Sequence, residues 1–224
     1  MFTPPYAMTF SALTHARPVS VRFCNESACP LTQEEVSVAI ARVAKEGKSL
    51  AIDCRRKRCS AGSTFACSNA TTLEELVSIY IDGEHVFPDR RLLERFLRTV
   101  RKNPKALAFV ECTPGVQNIA DVIVLFVRPD AASRLLGLSA YLGRLSVDVI
   151  PAAPTCAALF RPLIVPDCLH VNFVDYFDRE YQAPGLYAKE ELLLSMTPML
   201  YRALEEAFEH SAHGKHVPTG IPVY

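Results

Sequence analysis

No charge of either sign predominates, because Lys+Arg and Asp+Glu are 24 each and the formal net charge is zero. A chain that grips nucleic acid by its phosphates normally carries a basic excess, so no nucleic-acid partner is expected. No stretch reaches the ~18 uninterrupted apolar residues of a membrane span, so no membrane partner is expected either. The N-terminal MFTPPYAMTFSALTHARPVSVRF has no basic region ahead of an apolar run and does not read as a secretory signal. The expected location is therefore cytoplasmic, where thiols stay reduced, and the eight cysteines are not read as a disulfide framework. No cysteine pair shows the two-residue gap by which zinc and iron–sulfur sites usually announce themselves. Internal repeats and compositional breaks are absent too. One globular unit over 16–210 is expected, with an N-terminal extension at 1–15 and an irregular tail at 211–224.

What is present is a hydrophobic chain of 224 residues, half of them apolar, with a mean hydropathy of +0.13. That is enough to bury a sizeable core and too apolar for a disordered chain. Val19–Phe23 alternates as a half-buried strand does. Thr32 with Glu35 forms a capping-box pattern ahead of a helix whose stripe is Val36, Ile40, Val43 and Ala44, ending at Gly47. Further strands are expected at 49–53, 106–112, 121–127, 147–150, 163–165 and 169–174. Helices are expected from Thr71 or Thr72 to Tyr80, over Asp89–Lys102, around Leu135–Leu138, and over Lys189–His210 with Pro198 inside it. The alternation predicts an α/β or α+β fold, a mixed sheet flanked by helices.

The densest chemistry lies in Cys54-Arg-Arg-Lys-Arg-Cys59-Ser-Ala-Gly-Ser-Thr-Phe-Ala-Cys67. This segment has no hydrophobic period and reads as an ordered loop, the usual mounting for ligands and catalytic groups. Thiols so spaced can converge on one soft metal, and the cations Arg55–Arg58 favour thiolates beside them. Arg58 and the turn at Gly62 would also suit a bound anion. The bland alternative is a solvated basic loop with packed thiols. Cys24 and Cys29 repeat the four-residue gap upstream. Cys112 ends an apolar run and reads as a buried strand residue. A cysteine nucleophile would need a base, for which His85 and His170 are the internal candidates. His210, His213 and His216 could share a helical face only if the helix persisted past Gly214. Phe173, Tyr176, Phe177 and Tyr181 are read as core or pocket aromatics.

The order of motifs resembles the domain-of-unknown-function 169 family of prokaryotic proteins. It runs through Pro18–Phe23, Ala41–Ser49, Cys59-Ser-Ala-Gly-Ser63, Ala120–Pro129 and Cys156-Ala-Ala-Leu-Phe-Arg-Pro162. The resemblance implies a single domain with cysteines gathered at a common site, and it places Cys59 and Cys156 where relatives carry cysteine. Val38 stands where many relatives have cysteine at the head of the first helix. Asp175-Tyr-Phe-Asp178-Arg179 stands where another is expected.

The expected site therefore has Cys54, Cys59, Cys67 and Cys156 as metal ligands, holding an iron–sulfur cluster or zinc. Cys59, Cys156 and Arg161 would be its reactive groups, with Arg58, Gly62 and Asp175 contacting a cofactor. Asp121, Asp178 and Arg179 are further candidates. The partner would be a small molecule or a redox protein. The alternatives are a metal-free cysteine enzyme acting on a small anionic substrate, and a metal-free ligand-binding accessory protein.

Overall fold

Every position of the run Val122–Val127 is buried, because layers pack against both faces of this strand, β5. The structure is a computed structural model, and it describes residues 9–14, 18–54, 72–99, 108–150, 155, 159, 161–174, 176 and 178–215. The other strands are β1 (Val19–Cys24), β2 (Leu31–Thr32), β3 (Leu50–Asp53), β4 (Phe109–Pro114), β6 (Val147–Ile150), β7 (Leu169–Phe173) and β8 (Leu192–Met196). Among the described residues they form one eight-stranded sheet in the order β2-β3-β4-β1-β5-β8-β7-β6. The pairs β2–β3 and β6–β7 are parallel and the rest antiparallel, so the sheet is mixed. The fold is α+β, as the alternation of elements predicts.

Among the described residues the α-helices are α1 (Phe10–Thr14), α2 (Val36–Glu46), α3 (Leu73–Val77), α4 (Arg90–Thr99), α5 (Pro129–Tyr141), α6 (Arg161–Ile164) and α7 (Pro198–His210), with π-helical turns at Ser78–Gly83 and Asp178–Gln182. One sheet face, with Ile123, Leu125, Leu194 and Met196, packs against α1, α5 and α7 through Phe10, Leu135, Leu138, Leu204 and Phe208. Phe10 meets Tyr201 and Phe208 edge-on, with ring centroids 5.3 and 5.7 Å apart. The other face, with Val19, Val21, Val122, Val124 and Phe126, lies under α2. Helix α2 is buried nearly all round and ends on Gly47, whose left-handed φ of 70° lets its N–H reach the Val43 carbonyl. A satellite cluster of Leu76, Tyr80 and Leu93 joins α3 to α4. No helix among the described residues is long and apolar enough to cross a membrane.

Several sequence expectations are corrected. The run 192–196 is a strand, not the first part of a helix from Lys189, and the final helix starts at Pro198 behind a Thr197 cap. Pro198 is therefore a helix opener; its missing N–H costs nothing at that position. The segment expected as a strand at 163–165 falls mostly in the short helix α6. Glu35, not Thr32, is the N-cap of α2, and it makes no side-chain cap bond. The Thr32 hydroxyl instead accepts from Glu34 N–H at 3.2 Å. A capping box does form at Thr72 and Glu75, opening α3.

Candidate functional site

Parallel pairing of β6 with β7 sets Asp148 beside His170 and Ile150 beside Asn172. Antiparallel pairing of β7 with β8 sets Ser195 beside His170 and Leu193 beside Asn172. Strand residues two apart share a face, so Asp148, His170, Asn172 and Ser195 occupy one patch of a face that is otherwise apolar. The crossover from β6 to β7 contributes the buried Thr155 and Leu159, and then α6, which begins at Arg161.

Asp148 Oδ2 accepts from Arg161 Nε at 2.6 Å and lies 3.0 Å from His170 Nδ1. The Arg161 hydrogen bond holds the Asp148 carboxyl below its ordinary pKa, with burial opposing and His170 assisting. His170 Nε2 faces the Val165 carbonyl at 3.0 Å. Both ring nitrogens are thus within hydrogen-bond distance of an oxygen. His170 is wholly buried and engaged at both ends, so in this arrangement it holds α6 and β6 to β7 and activates no nucleophile. Arg161, expected among the reactive groups, is engaged by Asp148. Nearby, Cys168 donates to the Ser146 carbonyl at 3.2 Å, and burial pushes its thiol pKa up.

Asn172 differs from its neighbours on this face. It is wholly buried, yet among the described residues neither Oδ1 nor Nδ2 has a hydrogen-bond partner. Each such buried group costs roughly 1–3 kcal/mol when left unpaired.

The cysteines divide into two kinds. Cys24, Cys29, Cys112 and Cys168 are free thiols. Cys112 is fully buried in β4 within the core, as its apolar run predicts. Cys24 and Cys29 both lie close to the Glu111 carboxylate. Burial first and that carboxylate second push the Cys24 thiol up to about 11 and raise Cys29 as well. Such thiols hold little thiolate at neutral pH and make poor nucleophiles or metal ligands. Cys54 stands apart: it follows β3, is half-buried, and is disulfide-bonded. The expectation that every thiol stays reduced is corrected there. Covalent pairing and metal ligation both need sulfurs within bonding reach, so the spacing that suggests ligands suits a disulfide equally. Cys59, Cys67, Cys156, Arg58, Gly62 and Asp175 lie outside the described residues. Among the described residues, no group of three or more His, Cys, Asp or Glu could hold a metal ion.

Other candidates have structural roles. Asp121 accepts the Phe23 N–H at 2.8 Å and so ties the start of β5 to β1. Arg179 donates to the Lys189 and Glu191 carbonyls. It lines an open cleft of about 370 Å³ with Phe173, Tyr176 and Lys189. Phe173, Tyr176 and Tyr181 are 55%, 69% and 66% exposed, so these rings are not core. Val38 lines a second cleft of about 530 Å³, between the head of α2 and the turn at 183–186. His85 is exposed in a left-handed conformation. The last helix ends at His210, before His213.

Comparison with known proteins gives one family. The DUF169 family model, described as Uncharacterised ArCR, matches residues 12–207. The chain belongs to this family, as the motif order implies. No curated protein and no solved structure matches it.

Proposed function

We propose that this member of the family is a cysteine-centred redox or cofactor-handling protein. Its working sulfurs are those of the segment beginning at Cys54, together with Cys156. The observation that supports this reading is the contrast at Cys54: it is disulfide-bonded while Cys24, Cys29, Cys112 and Cys168 remain free. Cys24, Cys29 and Cys168 have raised pKa values and Cys112 is sealed in the core, so none of them is suited to thiolate chemistry.

Reduction of the Cys54 disulfide takes two electrons and two protons, supplied by a dithiol redox partner, which is itself oxidised to a disulfide. The reduced sulfurs, with Cys59, Cys67 and Cys156 as the candidate set, would suit a soft metal. A zinc ion or iron–sulfur cluster bound there would supply Lewis acidity or electron transfer. Arg58, Gly62 and Asp175 are the proposed contacts to an anionic cofactor or substrate. The reading as a cysteine enzyme is weaker, since His170 has both nitrogens engaged.

Anaerobic purification under reducing conditions, followed by elemental analysis and a visible spectrum, tests the cofactor part. Stoichiometric zinc, or broad absorption near ~400 nm with iron, is expected. Reduced protein that holds no metal and takes none up on reconstitution would leave only the thiol–disulfide role.

A further inference from the structure

The cleft of about 370 Å³ beside Arg179 opens at one end of the sheet. Phe173 closes β7 and stands in register with Leu192, the first residue of β8, which also pairs with Val127 at the end of β5. The chain beyond these strand ends flanks the opening: Pro129 at the start of α5, Tyr176 and Arg179 after β7, and Lys189 before β8. Much of the wall is apolar, through Phe173, Val174 and Leu192. Phe173 and Tyr176 are both more than half exposed, and Tyr181 meets Tyr176 edge-on with centroids 6.1 Å apart. Rings of this size are normally buried or partnered, and exposed together in one cleft they mark an interaction surface.

The charges on the wall select the guest further. Arg179 is fixed by neutral groups, since its guanidinium donates to the main-chain carbonyls of Lys189 and Glu191. Those bonds use one N–H on each Nη and leave each a second one to donate. Lys189 lines the same wall, and among the described residues neither cation has a carboxylate partner. Two carboxylates also line the cleft. Glu191 is already engaged: it accepts from the Ala188 N–H at 2.8 Å and lies 3.7 Å from Lys45 Nζ. Glu190 is exposed and repels an anion, so an anionic group belongs on the Arg179–Lys189 side. Apolar walls reduce the screening of such an attraction by water. The volume is at the low end for ligand pockets, which suits a guest of one or two rings.

We propose that this cleft binds a small aromatic carboxylate, its ring against Phe173 and Tyr176 and its carboxylate received by Arg179 and Lys189. An uncharged aromatic would leave the two cations unanswered, and an inorganic anion would leave the rings in water. A molecule carrying both ring and charge meets both needs. The proposal uses none of the cysteines and does not depend on the cysteine reading above.

The chain has no tryptophan, so binding of indole-3-acetate to the full chain can be followed by the probe's own fluorescence, with calorimetry beside it. Wild type is expected to bind this acid with a Kd below about 1 mM and to release it to phenylacetate. The neutral indole-3-acetamide is expected to bind about tenfold more weakly. Lys189→Met should weaken the acid about threefold, the scale of an exposed ion pair, and leave the amide unchanged. Glu190→Gln should tighten the acid alone, and Phe173→Ala should weaken both probes. Arg179→Gln should lose the most for the acid. It also frees two carbonyls, so Lys189→Met carries the charge test if that variant does not fold. No binding of indole-3-acetate or phenylacetate by wild type overturns the proposal. Equal affinity for acid and amide overturns it too, leaving an apolar groove without charge selection. Binding unchanged in Phe173→Ala would place the probe elsewhere and equally overturn it.

Discussion

Replacing Asp148 with asparagine removes one negative charge and little volume, at the point where β6, α6 and β7 are held together. In the native protein Asp148 Oδ2 serves both Arg161 Nε, at 2.6 Å, and His170 Nδ1, at 3.0 Å. Hydrogen bonds to charged groups contribute about 1.5–3 kcal/mol each, roughly twice the neutral value. An asparagine oxygen can occupy the same place and keep both contacts as weaker ones. The expected loss is then about half of each, or about 2 kcal/mol together. Side-chain exposures of 24% for Asp148 and 21% for Arg161 let water relieve part of this, so the figure is an upper range. His170, with no exposure, has no such relief. Equilibrium urea unfolding should therefore show a lower midpoint with an unchanged slope. The Tm should fall by about 4–8 °C for a domain of this size.

The pH dependence gives the sharper check. The folded Asp148 pKa lies below its ordinary value, so its stabilisation is complete above the unfolded pKa and is lost as pH falls through the folded one. The gap between wild type and Asp148→Asn should be full at pH 6–7. It should narrow only below about pH 4, near the carboxylate reference value. Equal stability at pH 7, or a gap that stays constant into acid, would refute this account of the patch.

Two further outcomes follow from the packing. Tyr187→Phe removes the buried 2.8 Å bond from its hydroxyl to the Ser37 carbonyl, which fastens the 183–187 turn to α2. A loss of about 1 kcal/mol is expected by chemical denaturation, and no loss at all would mean that water replaces that bond. Cys112→Ala leaves a small void in a fully buried position and should cost about 1–2 kcal/mol, leaving any bound cofactor in place. Loss of a cofactor in that variant would reverse the division of the cysteines.

Most strands were legible because alternation or a continuous β-rich run marks them, as at Val19–Phe23 and Val122–Val127. Leu192-Leu-Leu-Ser-Met196 was misread for a physical reason. A strand buried on both faces has no period of two, and a leucine-rich run of that length passes equally for a helical turn. The Thr197–Pro198 pair, a cap followed by an opener, was the overlooked signal. At the site, Arg161 stood out in the sequence within the Cys156–Pro162 motif, but its pairing with Asp148 did not. Asp148 and His170 could not be paired from sequence, since they meet only through the parallel register of β6 and β7. Asn172 and His170 alternate with Leu169 and Val171 just as a solvent-facing edge would, and only the crossover and the sheet reveal that both are buried. The cysteine loop was conspicuous in the sequence by its spacing alone. The spacing could not say whether Cys54 ends in a thiolate or in a disulfide.

The central claim is that Cys54 cycles between oxidised and reduced states while the packed thiols do not, and counting thiols tests it most directly. Alkylation under denaturing conditions, with mass spectrometry to locate each label, is done with and without prior reduction of the folded protein. The account predicts that mild reduction adds Cys54 and its partner to the labelled set. Cys24, Cys29, Cys112 and Cys168 should be labelled in both samples, and reoxidation by a disulfide should restore the first pattern. A Cys54 labelled equally in both samples, or one that cannot be reoxidised, would contradict it.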